Sequence, residues 1–175
     1  MPKVIENLKE QLLVEAKKQI IERGYSQTTI RSIAGACGVG VGTVYNYFPS
    51  KEMLVATFVY EEWKKYLHEI STLSYDNPKT FFKGIYDLLK DFARRNKKLF
   101  SDPDAVKLVS SGFSDKHKIL RDQIAAFILP LCEAKNLDSP QFTAKFLAES
   151  IIGWAMENEE FETVYPLLEK IIKYI

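Results

Sequence analysis

The side chains best suited to chemistry lie in one stretch, Thr29 to Glu52, and the chemistry they suit is hydrogen bonding to a polyanion, not bond making. On a helix that begins near Gly40, the residues Gly42, Thr43 and Asn46 turn to one side at about 100° per residue, while Val44 and Phe48 turn to the other. Tyr45 and Tyr47 flank the inward side, each with an apolar ring and a hydroxyl tip. An outward face of small and hydrogen-bonding groups, with no large aliphatic residue at its centre, can approach a phosphate backbone or base edges closely. Lys51 falls in the first turn of the next helix, where free backbone N–H groups already favour an anion. Elsewhere no nucleophile stands beside a base, and there is no phosphate loop or cofactor fingerprint. His68 and His117 have no companions at metal-ligand spacing, and Cys37 and Cys132 are isolated from them. Neither metal nor cofactor is expected, and the chain does not read as an enzyme.

The elements that must hold this face are short helices. Thr28 or Thr29 caps a helix whose inward residues Ile30, Ile33 and Ala34 keep three-and-four spacing. Gly38 stops it, because glycine reaches positive φ without steric cost, and Cys37-Gly38-Val39 can then turn the chain into a second helix at an angle. Pro49 ends that second helix and Ser50 caps a third. The pattern is a helix-turn-helix. Upstream, Ile5, Leu8, Leu12, Ala16 and Ile20 form the apolar stripe of a helix that ends at Arg23-Gly24 and packs the other two together.

The run resembles the TetR family of bacterial transcriptional regulators, whose amino-terminal domain carries T-x-x-x-I-A-x-x-A-G-V-S-x-G-T-x-Y-x-Y-F-x-S-K-E. Agreement falls at Ile33, Ala34, Gly38-Val39, Gly42-Thr43, Tyr45, Tyr47-Phe48 and Ser50-Lys51-Glu52, within the first third of the chain. The resemblance implies an all-α homodimer, with an amino-terminal three-helix domain (residues 1–50) that reads double-stranded operator DNA. A long helix joins it to a helical effector-binding and dimerisation domain (residues 51–175). The residues placed at DNA are Thr29, Arg31, Val41, Gly42, Thr43, Tyr45, Asn46, Tyr47 and Lys51. Arg31 can read a guanine, or pair with Glu52 or a phosphate. Two departures stand out: Gly40 occupies a capping position where many relatives have serine or threonine, and Val41 can touch a thymine methyl but cannot donate a hydrogen bond.

Composition is that of an ordinary soluble protein of 175 residues, 46% apolar, with a formal net charge of only +1. The charge is unevenly spread. Residues 1–51 hold seven Lys or Arg against four Glu, and the remainder holds 17 basic against 19 acidic groups, so the positive field sits on the reading head. Two distant cysteines and the absence of a secretion signal suggest a reduced, cytoplasmic protein. No apolar run approaches the ~20 residues that cross a membrane.

Beyond Ser50 the pattern stays helical from Lys51 to about Leu73, until Tyr75-Asp76-Asn77-Pro78 breaks it. Further helices are expected from Pro78 to Asn96, from Asp102 to about Ser110, and from Ser114 to Asn136, where Pro130 should kink or divide the last. Ser139-Pro140 supplies a cap and a proline at the first helical position of a helix reaching Trp154, and a final helix begins near Phe161 to Thr163. These last two helices are so apolar that a monomer would struggle to cover both, which makes Phe146, Ile151, Trp154, Leu167, Leu168 and Ile171 the candidates for dimerisation; the alternative is that the two helices simply complete the monomer core. The resemblance implies a four-helix bundle there, across the two-fold axis that a pseudo-palindromic operator requires. It also implies an effector cavity among the central aromatics. Trp63, Tyr66, Phe82, Tyr86 and Phe113 would line it around a small hydrophobic or aromatic ligand. The function expected is a ligand-responsive regulator, a repressor by family tendency. The alternative is a helical small-molecule-binding or protein-interaction module without specific DNA reading, which Gly40 and Val41 favour.

Overall fold

The computed structural model of the chain describes residues 7–105 and 113–174, and every regular element among them is a helix. Helix α1 (Leu8–Arg23) buries Leu8, Leu12, Ala16 and Ile20 along the expected stripe; Ile5 lies outside the described residues. The chain leaves α1 through Gly24 at φ 88°, whose N–H closes on the Ile20 carbonyl. Helix α2 (Ile30–Ala36) starts at Thr29, not Thr28, because the Thr29 hydroxyl accepts the Ser32 N–H while Ser32 Oγ accepts the Thr29 N–H. Thr28 is fully buried instead and donates its hydroxyl to the Gly24 carbonyl.

Helix α3 (Val41–Tyr47) follows the turn. Helix α4 (Lys51–Ser71) begins with the Ser50 hydroxyl accepting the Met53 N–H. It ends two residues before the expected Leu73, because Thr72 and Leu73 donate to the Glu69 and Ile70 carbonyls in tighter, three-residue turns that close the last carbonyls.

Helix α5 (Pro78–Arg95) starts at Asn77, whose side-chain carbonyl accepts the Thr80 N–H. A four-residue helix, α6 (Lys97–Phe100), follows without having been expected. Asp102 does open a turn, its carboxylate accepting the Asp104 and Ala105 N–H groups, and the rest of the helix expected to Ser110 lies outside the described residues. Helix α7 (Phe113–Ala134) runs through Pro130 undivided. Proline forfeits one backbone bond there, on an exposed position, while Ile128, Leu131 and Cys132 around it stay buried. Helix α8 (Pro140–Met156) has Ser139 at its cap position, but at φ 47° the serine makes no side-chain cap bond. The expected cap is therefore corrected: the first turn is held by Thr143, whose N–H donates to the Ser139 carbonyl and whose hydroxyl donates to the Asp138 carbonyl. Helix α9 (Phe161–Tyr174) completes the order.

Two compact units result. One runs through Trp63 and takes in the segment that starts at Asn96; the other holds Lys64–Arg95 and the helices from Phe113 on. The division falls inside α4 and not at residue 50, because Leu54, Val55 and Phe58 of α4 belong to the same core as Leu12, Ile20, Ile33, Val44 and Phe48. Leu99 and Ala105 close that core, which is why the stretch after Asn96 returns to the first unit. In the second unit α8 packs against α7 and α5, and α9 packs against α5. Phe81, Phe82, Ile85, Leu89, Ile124, Ile128, Leu147, Ile151 and Leu168 are among its most buried apolar residues. Among the described residues no helix is long and apolar enough to cross a membrane.

Candidate nucleic-acid interface

The turn between α2 and α3 is built by hydrogen bonds that only a left-handed residue permits. Gly38 sits at φ 65°, its N–H donating to Gly35 O at 3.2 Å, and the Val39 N–H reaches back to Ala34 O at 3.0 Å. Helix α3 then starts at Gly40, where extended backbone replaces a side-chain cap. Val44 is fully buried and Phe48 nearly so, and these two anchors fix which side of α3 faces away from the core.

The side facing away carries most of the residues expected there. Gly42, Tyr45, Asn46 and Tyr47 are exposed, Tyr45 at 50% and Tyr47 at 45%, and a Cβ placed on Gly42 would meet no atom within 4 Å. Thr43 is half-buried, and so is Val41, which packs against the head's core. Thr29 and Arg31 are exposed at the start of α2, and Arg31 makes no ion pair among the described residues. Glu52, the partner considered for Arg31, instead accepts the Tyr25 hydroxyl at 3.0 Å. Burial and that carboxylate push the Tyr25 hydroxyl well above its ordinary pKa.

Lys51 departs from its expected role. Its ammonium donates to the Tyr25 carbonyl at 3.0 Å and the Thr28 carbonyl at 3.1 Å, and lies 3.7 Å from the centroid of the Tyr25 ring. An ammonium has three protons, so two carbonyls and an aromatic face leave none to extend toward a phosphate. Burial lowers the Lys51 pKa, and the charges of Glu52, Asp102 and Asp104 oppose that shift. Lys51 is thus the inward clamp of the α1–α2 loop. The same loop is held from another side by Asp102, which accepts the Ser26 N–H at 3.1 Å and its hydroxyl at 3.0 Å; Asp104 lies 2.9 Å from that hydroxyl. No local pattern announces this contact, since the partners are 76 residues apart.

Gln19 also went unremarked in the sequence, although a polar residue seven positions after Leu12, on the buried side of α1, is a visible signal. Its amide meets Ser32 of α2.

Of the residues expected to line an effector cavity, Tyr66, Phe82 and Tyr86 are buried in the second unit, whereas Trp63 is buried in the first. The side chain of Phe113 lies outside the described residues. The Tyr66 hydroxyl donates to Asp91 at 2.6 Å, its ring meets Phe92 edge-on, and Tyr86 donates to the Glu159 carbonyl. Of the dimerisation candidates, Phe146 and Leu167 are about half exposed, and Trp154 and Ile171 are half-buried. Ile151 and Leu168 are fully buried within the single chain, so they fill its own core and are removed from any exposed face.

Comparison with known proteins places the interface in context. Residues 12–57 match the family profile described as bacterial regulatory proteins, tetR family. A curated relative from Bacillus subtilis (strain 168), the uncharacterised HTH-type transcriptional regulator YuxN, is 30% identical over 96 residues, which are 53% of this chain. The chain spans about a third, 33%, of the length of that relative. Among solved structures, Salmonella enterica GusR is similar with a TM-score of 0.70 at 20% identity, covering 98% of this chain and 99% of its own. The structure of BioQ with its double-stranded DNA operator is similar with a TM-score of 0.60 at 18% identity, covering 95% and 98%. At such identities these two are likenesses of fold.

Proposed function

We propose, for a chain that belongs to the TetR family of bacterial regulatory proteins, that it is a transcriptional regulator that binds a pseudo-palindromic operator as a homodimer and is released by a small hydrophobic effector. The observation that carries this reading is the outward side of α3, where Gly42, Tyr45, Asn46 and Tyr47 are exposed behind the buried anchors Val44 and Phe48. Backbone at Gly42 can come close to a duplex, Asn46 can bond a base edge, and the tyrosine hydroxyls can donate to phosphates. Kinship of fold with BioQ, which was solved with its operator, supports the same use.

Dimerisation is supported by exposed Phe142, Phe146 and Leu167 on α8 and α9. Two copies would then present two α3 helices to half-sites about one helical turn apart. Response to an effector is supported by α4, one unbroken helix whose Leu54 and Phe58 are buried in the head and whose Tyr66 and Ile70 are buried in the second unit. An effector that prefers one arrangement of α4 shifts the population by no more than that preference. Repression follows family tendency, and an activator would use the same residues.

The test is selection of bound sequences from random duplexes, followed by titration of the winner across salt concentrations. A two-half-site consensus, and a log–log salt slope of several units, are expected. A chain that shifts no duplex would instead be a module without specific DNA reading, the outcome that uncapped Gly40 and half-buried Val41 favour. Calorimetric screening of flat lipophilic compounds tests the effector.

A further inference from the structure

Gln19 is 2% exposed, one of few buried polar side chains among the described residues, and it lies on α1, away from the outward face of α3. Its whole amide is engaged. Nε2 donates to Glu15 Oε1 at 2.7 Å and to the Ser32 carbonyl at 3.3 Å, and Oε1 lies 2.6 Å from Ser32 Oγ. Ser32 in turn accepts the Thr29 N–H at 3.1 Å, gives its own N–H to Thr29 Oγ1 at 3.0 Å, and holds its single hydroxyl proton between Gln19 Oε1 and the Thr29 carbonyl, the latter 2.8 Å away. The serine thus serves both the cap of α2 and the junction with α1.

The centre of this junction is apolar, formed by the stripe of Leu12, Ala16 and Ile20 and the inward Ile30, Ile33 and Ala34, with the Cys37 thiol at the end of α2 lying 3.9 Å from the Gln11 carbonyl of α1. Apolar burial is non-directional and tolerates a small slide or rotation of one helix on the other, whereas a hydrogen bond weakens steeply with distance and angle. A buried polar pair therefore selects one register from several of similar apolar energy. Because α3 hangs from α2 through the short Gly38 turn, the aim of Tyr45, Asn46 and Tyr47 follows the seating of α2.

We infer that Gln19 is a positioning residue for DNA reading: its bonds to Ser32 fix the seat of α2 on α1 and so set operator specificity without touching DNA. The inference rests on the proposed function, and the two can fail separately.

The experiment uses the full chain and the duplex selected by the wild type, with a scrambled duplex as reference. Gln19→Leu keeps the volume and removes the bonds. Its ratio of affinities for the two duplexes should fall about tenfold while affinity for the scrambled duplex at low salt stays within about twofold. Ser32→Ala cuts the same junction from its partly exposed side, so a Gln19 variant that fails to fold leaves the test standing. Gln19→Leu/Ser32→Ala should be no worse than the poorer single variant. An unchanged ratio in both single variants, equal losses on both duplexes, or additive effects in the double variant would each overturn the inference. Amide exchange provides a readout that needs no operator: the variants should lose protection in α2 and α3 with α1 unchanged, and uniform loss or no loss counts against the pin. A wild type that enriches no sequence sinks the proposed function, and the exchange pattern then decides the seating of α2 alone.

Discussion

Lys51 grips Tyr25 twice, by a 3.0 Å hydrogen bond to its carbonyl and by an ammonium 3.7 Å from the centre of its ring. A residue at the edge of the proposed DNA face is thereby committed to the interior of the head.

Replacing Lys51 should consequently cost stability and spare the electrostatics of binding. Lys51→Met should lower the unfolding free energy by about 2 kcal/mol, the scale of charge-assisted bonds to two carbonyls. A direct phosphate contact would reduce the salt slope of DNA binding by about 1. Urea unfolding and a salt titration on one variant separate the two roles, and the slope should not move.

At Gly38 nothing lies within 4 Å of the position a Cβ would take, so steric contact is no obstacle to alanine there. The backbone is the obstacle, at φ 65°. Gly38→Ala should destabilise the head by about 1 kcal/mol, and Gly38→Asn, which tolerates the left-handed region better, by less. Thermal unfolding of the pair checks the order.

Asp102 holds Ser26 by both its N–H and its hydroxyl. Asp102→Ala should therefore raise the amide exchange rate of Ser26 and of its neighbours in the α1–α2 loop, and leave exchange in the middle of α1 unchanged. Residue-resolved exchange is the measurement.

The pH dependence of the second unit should centre on Asp91. Burial raises its pKa, but hydrogen bonds from Tyr66, Arg94 and Arg95 outweigh burial and bring it down to about 2 from an ordinary 3.8. A depressed carboxyl stabilises the fold above its unfolded pKa and loses that contribution as pH falls toward the folded value. With the arginines exposed to solvent, about 1 kcal/mol is at stake. Wild type should exceed Asp91→Asn by that amount at pH 6, and the gap should shrink steadily between pH 4 and pH 2 in denaturant titrations.

Phe146 and Ile151 lie five residues apart on α8 and should fail in different ways. Phe146 is half exposed, so Phe146→Asp should move sedimentation from dimer toward monomer with the fold retained. Ile151 has no exposed surface, so Ile151→Ala should cost about 3 kcal/mol of stability.

The helix-turn-helix was legible from residue order because its determinants are local. The Thr29 cap, the Gly38 stop and the spacing of Val44 and Phe48 act within one or two turns, and periodicity alone tells which side of α3 faces out. Among the described residues helix order was legible for the same reason, apart from α6, which is too short to display a period. What the tertiary structure decided are relationships between distant residues: Lys51 turned inward, Asp102 tied to Ser26, Gln19 locked on Ser32, and Ile151 and Leu168 absorbed by the chain's own core. Apolar periodicity says that a side chain will be buried but not against what. A charged or polar group similarly declares its capacity to bond, while its partner is chosen only when packing brings remote segments within about 3 Å.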